Sequence, residues 1–426
     1  MTEVKKAAKK ISPSAARTIT PRKIRIAALL SVMGPGVIAG LSDDDPAGIT
    51  TYSVLGAKYG YQMLWVLVIS TIALILFQDL GARIGVVTRQ GLIGLVRQKY
   101  GARSGVLSAV VLILANVGTM TAEFAGIAAA GQLFGYSKYV TVPAAALIVS
   151  FLVLKGSFSR VEKVFFVLSA VFFAYIIAGF LAHPDWGKAF HGMVVPTMPF
   201  TKDAVFIATA TLGTTLAPWG LAFIQSYAVD KRLTRDDLKL LRVDVWTGSL
   251  LTGVIGFFVI VTCAATLNRQ HITIVNASDA AAALKPLAGT LAKDLFAIGL
   301  IGAALLAASI LPLSTAYSVS DLTGRPAALD DSPKEAPLFY GTFAAITGLS
   351  ALLILIPGAP LITILVVSQI LNAALLLPLL VYMYGISKDK RLMGEYSATK
   401  TMLWIYRVII AIVFVCVGCM LWFTVH

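Results

Sequence analysis

Residues 42–48 read Ser-Asp-Asp-Asp-Pro-Ala-Gly and lie inside an otherwise apolar segment that covers about residues 26–57. Proline removes a backbone donor and glycine permits unusual backbone angles, so a helix through this point is expected to open. Residues 217–220, Ala-Pro-Trp-Gly, interrupt a second apolar segment in the same x-Pro-x-Gly order, 172 residues further on. Ordinary proline kinks are the alternative, but the shared pattern and the acids at the first break favour two discontinuous helices.

The composition places these breaks in a membrane protein. Of 426 residues, 58% are hydrophobic and only 13% are charged, whereas a soluble domain is roughly a quarter charged. The three cysteines all lie in apolar stretches and form neither a zinc pair nor a disulfide framework. Runs of about 20 apolar residues indicate membrane-spanning helices. Eleven such segments are predicted, at about residues 26–57, 62–82, 105–134, 139–155, 163–182, 203–229, 243–267, 291–320, 337–357, 361–384 and 403–424.

The basic residues test this arrangement. Residues 1–25 are basic and polar and are interpreted as a disordered cytoplasmic arm, since they lack the features of a signal peptide. With this arm inside, 28 of the 35 Lys and Arg residues lie on the cytoplasmic side, as the positive-inside rule requires. The net charge of +14 therefore indicates topology and no nucleic-acid partner. We expect a bacterial-type plasma membrane protein, embedded in the bilayer, with its C-terminus outside.

The breaks fall in the first and sixth spans and define two repeats of five spans, residues 26–182 and 203–384, followed by a final helix at 403–424. An odd number of spans inverts the second repeat relative to the first. Paired interruptions in two inverted halves are typical of a transporter's binding site. The predicted fold is an all-α polytopic membrane protein of eleven helices, with a 5+5 inverted repeat and broken helices 1 and 6.

The acids at the first break, Asp43, Asp44 and Asp45, are predicted to lie at mid-membrane. A surface loop is the alternative, but residues 49–59 would then have to form a separate half-span. A carboxylate at that depth needs a cationic partner, and no Lys or Arg lies in the apolar core of a neighbouring span. A bound metal ion would supply the charge. No His, Met or Cys lies at either break, so the ligands are oxygen atoms, which suit magnesium, calcium and manganese.

Several motifs resemble those of the NRAMP divalent-metal transporters over essentially the whole membrane region. They are Gly-Pro-Gly at 34–36, Asp-Pro-Ala-Gly at 45–48, Lys-Tyr-Gly-Tyr at 58–61, Gly-Thr-Met-Thr-Ala-Glu-Phe at 118–124, Leu-Gly-Thr-Thr-Leu-Ala-Pro-Trp at 212–219 and Ser-Gln at 368–369. The resemblance implies a LeuT-like fold and uptake of cations by alternating access. The metal would be a transported substrate, the protein would need no cofactor, and a monomer is expected.

The resemblance also implies the site residues. Side-chain ligands would be Asp45 and Gln369, and backbone carbonyls would come from Ser42 and Thr214. Asp44 and Glu123 would add charge around the ion. The alternative for Gln369 is an interhelical hydrogen bond, and for Glu123 an ion pair at a helix end.

The departures from the family pattern decide the predicted substrate. Gly48 stands where the family has a ligating Asn, and Ala217 and Trp219 replace the Met and His of its Met-Pro-His sequence. Ile224 replaces a histidine associated with proton movement, and Met120 replaces one acid of the third span. The pattern resembles the NRAMP-related magnesium transporter branch, which lacks the methionine and is not proton-coupled.

The sequence therefore predicts a transporter that imports Mg²⁺, Mn²⁺ or both without coupled protons. The alternatives are a proton-coupled Mn²⁺ or Fe²⁺ transporter of the NRAMP type and a coupled amino-acid transporter of the same fold. An enzyme is not expected, because no zinc-protease, nucleophile-elbow or phosphate-loop motif occurs. One further prediction is structural: Asp79 and Arg83, four residues apart, form an ion pair.

Overall fold

The computed structural model describes residues 35–154, 170–324 and 333–426, and within these ranges all regular structure is helical. The predicted arm at 1–25, Gly34 and the loop at 155–163 lie outside the described residues. In chain order the α-helices are α1 Pro35–Asp43, α2 Pro46–Tyr59, α3 Leu64–Thr88, α4 Leu92–Tyr100, α5 Ala102–Leu133, α6 Lys138–Leu154, α7 Ala174–Leu181, α8 Trp186–Val194, α9 Lys202–Thr215, α10 Pro218–Asp230, α11 Leu238–Thr266, α12 Ala277–Ala281, α13 Lys285–Ala288, α14 Ala292–Thr323, α15 Pro337–Leu355, α16 Leu361–Ser387, α17 Lys390–Met393 and α18 Lys400–Val425.

Eight helical segments of the described chain are long and apolar enough to cross a membrane. One of these segments, Lys202–Asp230, combines α9 and α10 across their interruption. The segments Lys138–Leu154 and Val171–Leu181 are apolar but shorter. The chain is thus a polytopic membrane protein, and the count of eleven spans remains a prediction.

Burial separates central from peripheral spans. The most apolar window of Lys202–Asp230 is 100% buried, whereas that of Lys400–Val425 is 22% buried. Large apolar side chains of α18, such as Trp404, Phe414 and Trp422, are exposed. An apolar surface of this kind is stable against lipid and unstable in water. Around the centre, α5 packs against α14 and α16, α9 packs against α16, and α11 packs against α1, α2 and α3.

The helical structure is interrupted at the two x-Pro-x-Gly sequences. α1 ends at Asp43 and α2 begins at Pro46, while α9 ends at Thr215 and α10 begins at Pro218. A helical carbonyl accepts from the amide four residues later, and proline has no amide hydrogen. Pro46 and Pro218 therefore cannot donate the usual helical hydrogen bond to the carbonyls of Ser42 and Thr214, four residues before them.

Two side chains of α11 hold α1 in place. Oδ2 of Asp244 accepts a 2.5 Å hydrogen bond from the amide of Gly36, at the first turn of α1. Near the other end, Oγ1 of Thr252 donates a 2.6 Å hydrogen bond to the carbonyl of Gly40. The acid caps a helix N-terminus, where negative charge is stabilising. Because α1 ends at the first break, these contacts fix where that break lies.

The predicted ion pair between Asp79 and Arg83 is wrong. Nε of Arg242, from α11, donates a 2.8 Å hydrogen bond to Oδ1 of Asp79. Nη2 of Arg83 donates instead to the hydroxyl of Tyr406 on α18, at 3.1 Å. The i,i+4 spacing brings the two side chains onto one face of α3, but partners from neighbouring helices approach each of them more closely.

Candidate metal site

Asp45 is the N-cap residue of α2, and its backbone is extended at φ −75° and ψ 171°. Its Oδ1 accepts a 2.6 Å hydrogen bond from the amide of Gly48. Pro46, at the first helical position, has no amide hydrogen that would need an acceptor. Asp45 and Pro46 together therefore form a standard helix start. The side chain is 3% exposed. The cap therefore fixes a buried carboxylate at the opening between α1 and α2.

Oxygen atoms from both breaks meet around Gly48. A Cβ atom added at Gly48 would lie 2.8 Å from the carbonyl oxygen of Asp43, 3.1 Å from Oγ1 of Thr214 and 3.3 Å from Oδ1 of Asp45. The hydroxyl oxygen of Thr214 is buried and has no hydrogen-bond partner among the described residues. The absence of a side chain at position 48 thus leaves three oxygen atoms, of three chemical types, around one small space.

Glu123 brings a second carboxyl group to Asp45. α5 approaches the first break closely, because a Cβ atom at Gly126 would lie only 2.3 Å from Cβ of Pro46. One turn earlier on the same helix, the carboxyl group of Glu123 lies beside that of Asp45. Glu123 is fully buried. Within the described chain, neither of its oxygens has a hydrogen-bond donor, so the predicted alternative of an ion pair at a helix end does not apply.

The other two acids of the break are also buried. Oδ2 of Asp43 lies 3.4 Å from Nε2 of Gln78 on α3, and Gln78 in turn accepts from Ser249 on α11. Oδ1 of Asp43 and both carboxyl oxygens of Asp44 lack a donor in the part of the chain that is described.

None of the ion pairs formed by described residues includes Asp43, Asp44, Asp45 or Glu123. A buried carboxylate without a counter-charge is strongly unfavourable. Four carboxyl groups thus share one buried region that is complementary to a cation.

The two replaced positions of the second break contribute no side-chain ligand. Ala217 is the buried N-cap residue of α10, and its side chain makes no cap hydrogen bond. Trp219 is buried too, with its ring centroid 6.3 Å from that of Phe223. Its backbone carbonyl accepts from the hydroxyl of Ser314 on α14. The backbone of this break therefore supplies polar groups, while its side chains supply an apolar wall.

Gln369 hydrogen-bonds to two side chains of its own helix, α16. Its Oε1 accepts a 2.8 Å hydrogen bond from Nδ2 of Asn372, and its Nε2 lies 3.3 Å from Oγ of Ser368. Asn372 also donates to Thr119 of α5, at 2.8 Å. Both of these hydrogen bonds of Gln369 lie within α16, and it is Asn372 that reaches α5, so the role of Gln369 stays a prediction. To act as a ligand, Oε1 of Gln369 would have to coordinate the ion while it still accepts from Asn372, or give up that hydrogen bond.

Two contributions to this region were missed by the sequence analysis. The hydroxyl of Thr214 faces Gly48, although only its carbonyl was predicted to take part. Gln78 contacts Asp43, and a polar side chain inside an apolar span is the signal by which it could have been found. Among the described residues no group of three or more His, Cys, Asp and Glu side chains has metal-binding geometry. A metal site here would therefore combine carboxylate, hydroxyl and backbone carbonyl oxygens.

Known proteins resemble this chain over nearly its full length. Two relatives are divalent metal cation transporters named MntH. The one from Bacillus subtilis is 27% identical over 387 residues and covers 87% of both chains. The one from Klebsiella pneumoniae is 27% identical over 403 residues and covers 92% of this chain and 93% of its own. These relatives are metal transporters and not enzymes.

Among solved structures, a manganese transporter from Eremococcus coleocola superposes with a TM-score of 0.73 at 18% identity, covering 90% of this chain and 85% of that one. Mhp1, a transporter of the nucleobase-cation-symport-1 family, superposes with a TM-score of 0.57 at 14% identity and 92% coverage of both chains. The predicted all-helical, LeuT-like transporter fold is confirmed at this level. Residues 36–423 match the family described as natural resistance-associated macrophage protein-like. The chain belongs to the Nramp family.

Proposed function

We propose that this protein is a secondary transporter that imports divalent metal ions, Mg²⁺, Mn²⁺ or both, by alternating access and without coupled protons. The observation that carries the proposal is the set of buried carboxyl groups around Asp45, which have no basic partner within the described chain. Family membership and the names of the two relatives support divalent metal as the class of substrate. The ion is the substrate and not a resident cofactor.

The proposed binding site lies between the two breaks. Asp45 provides the charged side-chain ligand, and the carbonyls of Ser42 and Thr214 provide neutral oxygens. Positions 48 and 217 supply space, since Gly48 and Ala217 add no ligand atom. Asp44 and Glu123 contribute charge around the ion, Trp219 forms an apolar wall, and Gln369 joins when its hydrogen bonds rearrange. A site with few protein ligands leaves water on the ion, which suits Mg²⁺ because it loses its hydration shell reluctantly.

The proposed architecture has eleven spans. Two inverted repeats, residues 26–182 and 203–384, precede a final helix at 403–424, and residues 1–25 form a cytoplasmic arm. The N-terminus is inside, the C-terminus is outside, and the protein acts as a monomer in a bacterial inner membrane. The LeuT-like fold of the neighbours and the interruptions at both x-Pro-x-Gly sequences support this arrangement.

Membrane potential alone provides the driving force in this proposal. Moving one charge across 100 mV is worth about 2.3 kcal/mol, so a divalent ion gains about 4.6 kcal/mol. This free energy corresponds to a gradient of more than about a thousandfold. Ion entry therefore needs no second gradient.

A second candidate is a proton-coupled Mn²⁺ transporter. The observation that favours it is the contact between Glu123 and Asp45, since two adjacent buried carboxyl groups are suited to share a proton. The manganese transporter among the structural neighbours agrees with this candidate only at the level of fold.

One reconstitution experiment separates the two candidates. Liposomes contain the protein, a Mg²⁺- or Mn²⁺-sensitive dye and a pH dye, and an inside-negative voltage is imposed. We expect metal entry that grows with voltage and leaves the internal pH unchanged. Acidification in proportion to metal entry would establish proton coupling instead.

The site assignment is tested with Asp45→Asn. Asparagine still accepts a hydrogen bond from the amide of Gly48 and is an equally good N-cap, so the variant loses the charge and keeps the helix start. We expect the variant to elute from a size-exclusion column as the parent does, which shows that it is folded, but to allow no metal entry into the liposomes. Asp185→Asn, at the partly exposed N-cap of α8, is the matched control and keeps transport. Uptake by Asp45→Asn at the parental rate would show that the site lies elsewhere.

A further inference from the structure

A polar cavity of about 320 Å³ lies where the ends of α3 and α11 meet the segment before α18. Ala82 and Leu241 form part of its apolar floor. Its polar lining consists of Asp79, Arg83, Arg235, Lys239, Arg242 and Tyr396. Four of these side chains are basic and one is acidic, so the cavity carries a net positive charge.

Among the residues that line the cavity, one acid faces four basic side chains. Asp79 is occupied by Nε of Arg242 at 2.8 Å. Arg235 stacks over the ring of Tyr396, with its guanidinium carbon 5.4 Å from the ring centroid, which fixes its position at the rim. The neighbouring Asp237 accepts from the backbone and hydroxyl of Thr234 and does not line the cavity. The charge at this place is therefore fixed by the fold.

One donor in the cavity has no acceptor. Nη2 of Arg83 donates to Tyr406, but its Nε is buried and without a hydrogen-bond partner within the described ranges. A buried donor left unsatisfied costs about 1–3 kcal/mol. The guanidinium group presents its donors in a planar fork that matches the oxygens of a phosphate. The orphaned donor points to an anionic oxygen ligand.

With the ends of α3 and α11 taken as the membrane surface, the cavity lies at the depth of the lipid headgroups. Arg242 is four residues from the start of α11 and Arg83 is five residues from the end of α3, which is about 6–8 Å along a helix. The headgroup layer on each side of a bilayer is about 5–8 Å thick. One turn deeper, the apolar side chain of Trp246 is exposed beside Arg242. Exposed tryptophans are enriched at the membrane interface.

We propose that this cavity binds the phosphate of an anionic phospholipid headgroup, with the acyl chains along the lipid-facing side of α11. Basic pockets between spans on the cytoplasmic side bind such headgroups in other membrane proteins. The inference rests on the proposed orientation, which places this end of α3 and α11 on the cytoplasmic side, and is independent of the transported ion. Inorganic phosphate offers the same oxygen atoms, so the experiment must distinguish a bound lipid headgroup from a bound free phosphate ion.

The test titrates the full-length protein in neutral detergent with phosphatidylglycerol and counts bound lipids by native mass spectrometry. Parallel titrations use phosphatidylcholine and inorganic phosphate. We expect one saturable phosphatidylglycerol site and weaker binding of phosphatidylcholine. Saturation by inorganic phosphate at equal or lower concentration would overturn the lipid assignment, as would equal binding of the two lipids.

The variant for this test is Arg235→Gln with Lys239→Gln. Both side chains are exposed, so their replacement leaves the fold intact. At about fivefold per basic side chain, the double variant should bind phosphatidylglycerol about 30-fold more weakly. Arg103→Gln with Lys390→Gln removes the same charge from exposed positions outside the cavity and should change binding less than about twofold. Equal weakening in the two double variants, or none in the first, would show that the cavity is not the site.

Discussion

The hydroxyl of Tyr52 lies 2.8 Å from Oγ1 of Thr215, and this hydrogen bond joins α2, which follows the first break, to α9, which precedes the second. Both residues are fully buried. Thr215 donates its own hydrogen to the carbonyl of Thr211, so Tyr52 must be the donor to Thr215. The two interrupted helices are thus connected directly, one turn or more from the acids.

Because Tyr52 is the donor, substitutions of Tyr52 and of Thr215 should differ in how much stability they cost. In Tyr52→Phe, Thr215 keeps its bond to Thr211, and the loss should be near the average of about 0.6 kcal/mol for a hydrogen bond in a membrane protein. In Thr215→Val, the buried Tyr52 hydroxyl loses its acceptor, which costs about 1–3 kcal/mol. Thermal unfolding in detergent should therefore rank the parent above Tyr52→Phe and Tyr52→Phe above Thr215→Val. The reverse order of the variants would contradict the assigned donor.

Gly48→Ala tests whether the space between the oxygens is needed. The added methyl group would lie 2.8 Å from the carbonyl oxygen of Asp43 and 3.1 Å from Oγ1 of Thr214, too close for either atom to stay. We expect Mg²⁺ uptake in liposomes to fall by at least about tenfold, because displaced ligands lose on the order of 1.4 kcal/mol of binding. Gly348→Ala, whose methyl group would meet no atom within 4 Å, is the control and should transport normally. Parental uptake by Gly48→Ala would exclude this space as the ion position.

Glu123→Gln tests the contribution of the second carboxyl group. The amide has the same shape, so α5 should pack as before while one negative charge leaves the region around Asp45. We expect the Mg²⁺ concentration for half-maximal uptake to rise roughly tenfold, because nearby charges interact strongly where water is scarce. The exposed Glu395→Gln removes a charge elsewhere and should leave that concentration unchanged. If both variants behave alike, the charge of Glu123 plays no part in binding.

The breaks could be located from the sequence because their causes are local. Proline lacks a donor at both breaks, and at the first break Asp45 also caps the next helix. These effects act within four residues, so the ends of α1 and α9 follow from the sequence around Pro46 and Pro218. Eight of the predicted apolar segments overlap helical segments of the described chain that are long and apolar enough to cross a membrane, since length and hydropathy are properties of one helix at a time. Contacts between helices, in contrast, depend on residues that are far apart in the chain.

Partners across helices could not be read from the sequence. Spacing placed Asp79 and Arg83 on one face of α3, but Arg242 and Tyr406, far away in the chain, decide which atoms meet. Gln369 has the polarity of a ligand, yet its oxygen faces Asn372. The approach of α5 to Pro46 depends on Gly126, which resembles many other small residues of apolar helices. Such choices depend on packing in three dimensions.

Ala217→Met tests why the protein would prefer hard ions. Ala217 is buried at the start of α10, three residues after Thr214, whose carbonyl we propose as a ligand. A thioether is a soft ligand that favours Cd²⁺ and offers little to Mg²⁺. We expect the ratio of Cd²⁺ to Mg²⁺ uptake to rise on the order of tenfold, with the exposed Ala344→Met as a control that keeps the parental ratio. An unchanged ratio in a folded Ala217→Met protein would mean that position 217 does not face the ion, and the backbone of the second break would then bind it from another side.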